Sequence, residues 1–190
     1  MEGGGGGAGG AGGAGDPASG QPQRPQDVWQ LLELAAIHHP DILAVVDCAG
    51  GGGGRTLTYA QLFERAAALA RALHGAGVRR GDRVGLLSRN SALVIEAHFA
   101  AAALHAVVLN LNIHLAAPEL AYILSDARPT LVLADAHCAP ALLAAQAQLR
   151  KGGEAAAEGQ ASEGPSFGSV VWMQVEGGAE VPPAAEGLQV

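Results

Sequence analysis

Apolar and polar residues recur with two different periods along this chain, and the switches between periods mark its elements. Asp27 is a natural N-cap for DVWQLLELAAIHHP, where Leu31, Leu34 and Ala35 share a helical face. Pro40 closes that helix, because the residue before a proline is pushed out of the helical region. ILAVVD is apolar and β-branched. RTLTY follows a run of glycines, so the two segments predict a hairpin with a lengthened Gly-rich bend. Thr58 and Gln61 then stand three apart as a capping box, flanked by Leu57 and Leu62 at the positions of a hydrophobic staple. Leu62, Ala66, Leu69, Ala70 and Leu73 continue as an apolar stripe from which Glu64, Arg65 and Arg71 fall away. Gly75 and Gly77 end this helix, where a residue must often turn left-handed.

Arg80-Gly81-Asp82 turns the chain into RVGLLS, a short buried strand. SALVIEAHFAAAALHA is helical with few polar residues, which predicts burial on more than one side. AVVLNLN reads as a second strand and TLVLAD as a third. Between them lies the helix PELAYILSDA, with Pro118 at its first position, Ala117 as a weak cap and Pro129 at its exit. Helical crossovers make the three strands parallel and their connections right-handed. The fold class is α/β: a partial three-layer domain with a mostly parallel sheet, a βαβαβ core at about residues 83–134, preceded by a helix and a hairpin.

Composition sets the domain limits. Residues 1–26 form a Gly-rich tail with almost nothing to bury, expected to be disordered. It lacks the apolar segment of a secretory signal and is poor in the arginines of a transit peptide. Residues 27–150 carry the α/β unit, 151–166 a small-residue linker or insert, 167–176 a further strand through Val170, Val171, Met173 and Val175, and 177–190 a loose tail. No apolar run reaches the ~20 residues of a membrane-spanning helix. The net charge of −7 is dispersed, which argues against a nucleic-acid footprint. Cys48 and Cys138 have no metal-ligand spacing and read as reduced thiols of an intracellular protein.

Candidate chemistry is sparse. Gly50–Gly54 lacks the Gly-Lys-Ser/Thr ending of a phosphate loop, and leads into a strand instead of a helix. His98 and His105 are seven apart and could share a helix face, but only Glu96 is near them, on a different side of the turn. No GxSxG elbow nominates a nucleophile. Arg79, Arg80, Arg83 and Arg89 form the densest basic cluster, read as a solvated edge.

The order of these segments resembles the N-terminal portion of the AMP-forming acyl-activating enzymes, the superfamily of acyl-CoA synthetases, luciferases and peptide-synthetase adenylation domains. LTYAQL at 57–62 is similar to the family's first core motif, and GVRRGDRVGLLSRNS at 77–91 to the turn, strand and Asn-Ser corner after it. AAALHAVVLNLNIHLAAPELAYILSDARPTLVLAD at 101–135 is similar to its second motif region with the following helix and strand. EAHF at 96–99 and NIHL at 112–115 resemble the plant-type enzymes that ligate short or medium carboxylic acids to CoA. His105 stands where the family usually has Gly, and His114 where that subgroup often has Arg.

The resemblance implies a two-step ligation using ATP, Mg2+ and CoA: a carboxylate attacks the α-phosphate of ATP, then the CoA thiol displaces AMP. The residues that do this in the family are a Ser/Thr/Gly-rich loop ending in Pro-Lys-Gly, an acidic ribose-binding residue and the lysine of a mobile C-terminal domain. None has a matching position here, and Lys151, the only lysine, fits none of them. No catalytic, cofactor-binding or metal residue is assigned, and no cofactor is expected for the chain by itself. The expectation is an inactive N-terminal fragment of a carboxylate–CoA ligase, incomplete relative to the family fold. The alternative is a non-catalytic module, or pseudoenzyme, that binds a full-length relative or another protein through an uncovered apolar face. An unrelated nucleotide-binding domain is disfavoured by the missing phosphate turn.

Overall fold

The computed structural model describes residues 25–48, 55–157 and 170–172, with side chains described through Arg150. The Gly-rich tail up to residue 24, the glycine bend at 49–54, and residues 158–169 and 173–190 lie outside the described residues. The first helix, α1 (Val28–His38), starts where Asp27 Oδ1 accepts the amide of Gln30 at 2.8 Å. Strands β1 (Leu43–Asp47) and β2 (Arg55–Thr58) form an antiparallel hairpin, with Val46 opposite Thr56 and a bulge between Leu43 and Val45.

Helix α2 (Tyr59–Gly75) carries the expected capping box. Thr58 Oγ1 accepts the Gln61 amide at 3.3 Å and Gln61 Oε1 accepts the Thr58 amide at 3.0 Å. It ends in a Schellman turn: the amide of Val78 donates to Leu73 O, that of Gly77 to His74 O, and Gly77 takes φ +101°. Val78 and Leu73 are both buried in one cluster, which supplies the apolar contact of that motif.

Strand β3 (Arg83–Leu87), helix α3 (Ala92–Ala103), β4 (Val107–Asn110), α4 (Ala117–Ala127), β5 (Leu131–Ala134), α5 (Ala139–Ala157) and β6 (Val170–Trp172) complete the chain order. The sheet runs β4-β3-β5-β6 with every neighbouring pair parallel, so the expected parallel core is present. Moving from β3 to β4 goes one way, and moving on to β5 crosses back over β3. Right-handed crossovers in opposite directions place their helices on opposite faces. One face packs Val84, Leu86, Leu131 and Leu133 against α2 and α3. The other packs Leu87, Val132 and Ala134 against α4 and α5. A third cluster joins Leu32 of α1, Val45 and Leu57 of the hairpin, Leu62 and Ala66 of α2, and Ala92 of α3.

Four local readings change. In α1 the buried side is Leu32, with Trp29 stacked on Phe63 at 4.9 Å, while Leu31 points outward and is 54% exposed. The helix docks on α2 and α3 through a face one residue along from the expected one. Arg65 is not on a solvent face either; it bridges to α3, as described below. Helix α4 begins at Ala117, which puts Pro118 at its second position and Ala116 at the N-cap. An alanine has no capping oxygen, so half a capping box forms: the Glu119 carboxylate accepts the Ala116 amide at 2.9 Å. Finally, α5 continues through residues 151–157, where a linker is expected.

Candidate functional site

In a doubly wound parallel sheet, ligands bind beyond the carboxyl ends of the strands where the crossover direction reverses. Here that point lies between β3 and β5, since α3 leaves β3 for one face and α5 leaves β5 for the other. Two short connections line it: Ser88, Arg89, Asn90 and Ser91 after β3, and Asp135, Ala136, His137 and Cys138 after β5.

Asp135 is the hub. Its carboxylate is buried, and Oδ2 accepts the amide of Arg89 at 2.9 Å and contacts Arg89 Nε and Ser88 Oγ at 3.4 Å each. Oδ1 accepts the amide of Cys138 at 2.9 Å. Burial works to raise the Asp135 pKa. The amides of Arg89 and Cys138, the Cys138 thiol and the Arg89 charge outweigh it, and the carboxyl settles below the usual aspartate range. Cys138 moves the other way, to about 11, because it is buried and then because its thiol faces the Asp135 carboxylate. A thiol held that high stays protonated and is a poor nucleophile or metal ligand.

The N-terminus of α3 points at the same edge, and helix N-termini attract anions. Its first amide, on Ala92, is already taken by the Asp47 carboxylate at 2.8 Å, an anion supplied by β1. Ser91 at the cap position makes no side-chain capping bond, and its Oγ is buried without a partner.

The remaining sequence candidates fold into structural roles. His98 bonds Val94 O through Nδ1 at 2.7 Å and meets Asn110 Nδ2 through Nε2 at 3.3 Å, which ties α3 to β4. His105 is separate from it, exposed in the turn after α3. Glu96, 1% exposed, receives Arg65 Nε at 2.6 Å and Arg65 Nη2 at 3.1 Å, a bidentate bridge between α3 and α2. The arginine cluster disperses. Arg79 bonds the carbonyls of His74 and Val78, Arg83 that of Ala127, and Arg89 turns to Asp135. Among the described residues no group of three acidic, His or Cys side chains could hold a metal ion. Among the described residues, the buried Asp135 carboxylate at the sheet's carboxyl edge has both oxygens engaged by protein donors. Asp135 and its partners escape a reading by motif. The available signal was positional: they are the first residues after two parallel strands.

Fold and edge together define a doubly wound α/β scaffold of the kind that carries nucleotide and acyl chemistry, with its switch-point carboxylate engaged by protein donors. The family model of AMP-binding enzymes matches residues 32–186, and the chain belongs to that family. Among curated relatives, a feruloyl-CoA synthase of Amycolatopsis sp. is 43% identical over 81 residues, covering 43% of this chain and 16% of the relative. A long-chain-fatty-acid–CoA ligase of Thermus thermophilus is 35% identical over 124 residues, covering 65% of this chain and 23% of its own length. The inhibitor-bound N-terminal domain of FACL13 from Mycobacterium tuberculosis superposes with a TM-score of 0.61 at 30% identity, covering 78% of this chain and 33% of that one. The chain therefore spans less than a quarter of those two curated relatives, as the N-terminal portion of an acyl-activating fold. Within the described residues no helix is long and apolar enough to cross a membrane.

Proposed function

We propose that this chain supplies the N-terminal scaffold of an AMP-forming carboxylate–CoA ligase, and that residues 1–190 alone neither adenylate an acid nor hold ATP tightly. Family membership supports the ligase half of this reading. The inactivity half rests on one observation: the carboxylates at the switch point are engaged by protein donors, chiefly main-chain amides. Asp135 serves Arg89 and Cys138, Asp47 fills the α3 terminus, and the single lysine, Lys151, falls within α5. Acyl adenylation needs cations placed on a triphosphate, and a carboxylate-lined edge repels one. The unpaired thiols of Cys48 and Cys138 fit a reducing compartment such as the cytoplasm or peroxisome. Carboxylate-dependent ATP–pyrophosphate exchange, measured with short-, medium- and long-chain acids, tests the proposal. Background rates are expected with the purified 190-residue protein, and exchange above background that needs the acid would refute it.

One observation favours a second reading, a non-catalytic module that binds a relative or another protein. Helices pack on both faces of the sheet across β3 and β5, which gives the unit a core of its own. A monomer with a single cooperative melt would favour that reading; aggregation or a broad melt would favour a piece of a larger domain.

A further inference from the structure

A hollow of about 480 Å3 opens between the first turn of α1 and the last turns of α2 and α3. It exists because alanines stand where larger side chains would fill the groove: Ala67 and Ala70 on α2 and Ala103 on α3. The half-buried indole of Trp29 makes one wall, held by its stack on Phe63 with ring centroids 4.9 Å apart. Arg71 and His74 also line the hollow, three residues apart and therefore on one face of α2. Both are exposed, and neither side chain has a hydrogen-bond or ion-pair partner among the described residues. No acidic side chain is among the lining residues. The volume falls within the range of about 300–1,000 Å3 usual for small-molecule sites.

Helix C-termini ordinarily repel an anion, but here their carbonyls are engaged. Leu73 O and His74 O accept the amides of Val78 and Gly77, and Ala101 O and Ala102 O accept those of Ala106 and His105. His74 O also accepts Arg79 Nη1 at 2.7 Å, which adds positive charge beside the hollow. What faces the space is a fixed cation, an imidazole, an aromatic wall and an apolar floor. Arg71 can meet both oxygens of a carboxylate with its planar fork, and His74 can donate through a ring nitrogen. A flat body gives up little freedom on entering beside the indole. We infer that this hollow is a binding site for a small aromatic monocarboxylate. Helix α3 runs from the carboxyl end of β3 back to the start of β4, so the site lies at the amino ends of the strands, opposite the switch point. It is independent of the ligase reading.

Proton–nitrogen correlation spectra of the full 190-residue chain, titrated with naphthoate, test the site. The amides of Ala67, Arg71, His74 and Ala103 should shift together and saturate, with a dissociation constant below about 1 mM. Uncharged naphthamide, which lacks the charge-assisted bond, and flexible octanoate should each bind at least about tenfold more weakly. R71Q should weaken naphthoate binding at least about tenfold, and A67L, which puts a larger side chain into the hollow, should abolish it. R80Q removes the same charge from the exposed turn before β3 and should leave the affinity within about twofold. All three substitutions fall at exposed or half-buried positions, so the melting temperature should stay within about 2 °C of the parent. Absence of saturable shifts at these amides overturns the site, as does naphthoate affinity that survives either R71Q or A67L. Equal affinity for naphthamide overturns the recognition of an anion, and equal affinity for octanoate overturns the aromatic class. None of these outcomes touches acid-dependent ATP–pyrophosphate exchange, so the ligase reading stands or falls separately.

Discussion

A carboxylate can stay charged in a protein interior only if its lone pairs are used, and Asp135 meets that condition with donors from both switch-point loops. Asp135→Ala would strand the amides of Arg89 and Cys138, so a loss of about 1–3 kcal/mol is expected from urea titration. Because the folded carboxyl lies below its unfolded value, its contribution is present above the ordinary aspartate range and disappears as pH falls through the folded pKa. Asp135→Ala should therefore flatten the acid limb of the stability profile. Cys138 acts at the other end of the scale. Its folded pKa is raised from 9.0 to about 11, so its share of stability is full below pH 9 and is lost as pH climbs toward 11. A thiol reagent at pH 8 should modify exposed Cys48 rapidly and Cys138 only upon unfolding; equal rates in the native protein would contradict the assignment. His105 illustrates a cost. It adopts φ 51° and completes a Schellman turn after α3, with its amide on Ala102 O and that of Ala106 on Ala101 O. Left-handed backbone favours glycine, so His105→Gly should stabilise the protein by about 0.5–1 kcal/mol, seen as a higher melting temperature.

Among the elements, α2 and the parallel strands were legible in the sequence because local signals agreed with tertiary demands. Thr58 and Gln61 cap as their spacing says, the α2 stripe is buried as written, and the β3, β4 and β5 segments become parallel strands. Helix α1 was less legible. Its apolar residues lie all round, so periodicity cannot choose between Leu31 and Leu32, and docking on α2 and α3 decides. Arg65 escaped for a related reason. A charged residue beside an apolar stripe looks solvated until the neighbouring helix presents a carboxylate, as Glu96 does here. Arg65→Ala should cost about 3 kcal/mol, the lower end for a broken buried pair because Arg65 keeps a third of its side chain in solvent. The R65M/E96L double variant should recover most of that loss in the same titration, since apolar neighbours remove the stranded charge. Gly85 marks a tight approach within the sheet. A Cβ there would stand 3.0 Å from Val132 Cγ2 and 3.4 Å from Leu111 Cδ1. Gly85→Ala should consequently destabilise by about 1–3 kcal/mol through overpacking.

At the scale of the whole molecule, the family was readable from the order of LTYAQL, GVRRGDRVGLLSRNS and LVLAD, because those segments are tied to the capping box, the β3 turn and the end of β5. The switch-point cluster was not readable. It consists of residues 46 or 47 positions apart in the chain that converge only when β3 and β5 pair. The outward apolar surface of α1 and β1 was equally hidden, since exposure depends on what packs where. What results is a sheet with helices on both faces, a carboxyl edge whose buried carboxylate is held by protein donors, and a hairpin with exposed apolar residues on its outer side. On the proposed reading such a body positions chemistry carried by other polypeptide, and its described residues form no cationic cradle for a triphosphate. Isothermal titration of the purified protein with MgATP measures that directly. No saturable heat is predicted up to millimolar nucleotide, whereas a saturable isotherm with a micromolar dissociation constant, weakened by substitution of Arg89, would contradict it.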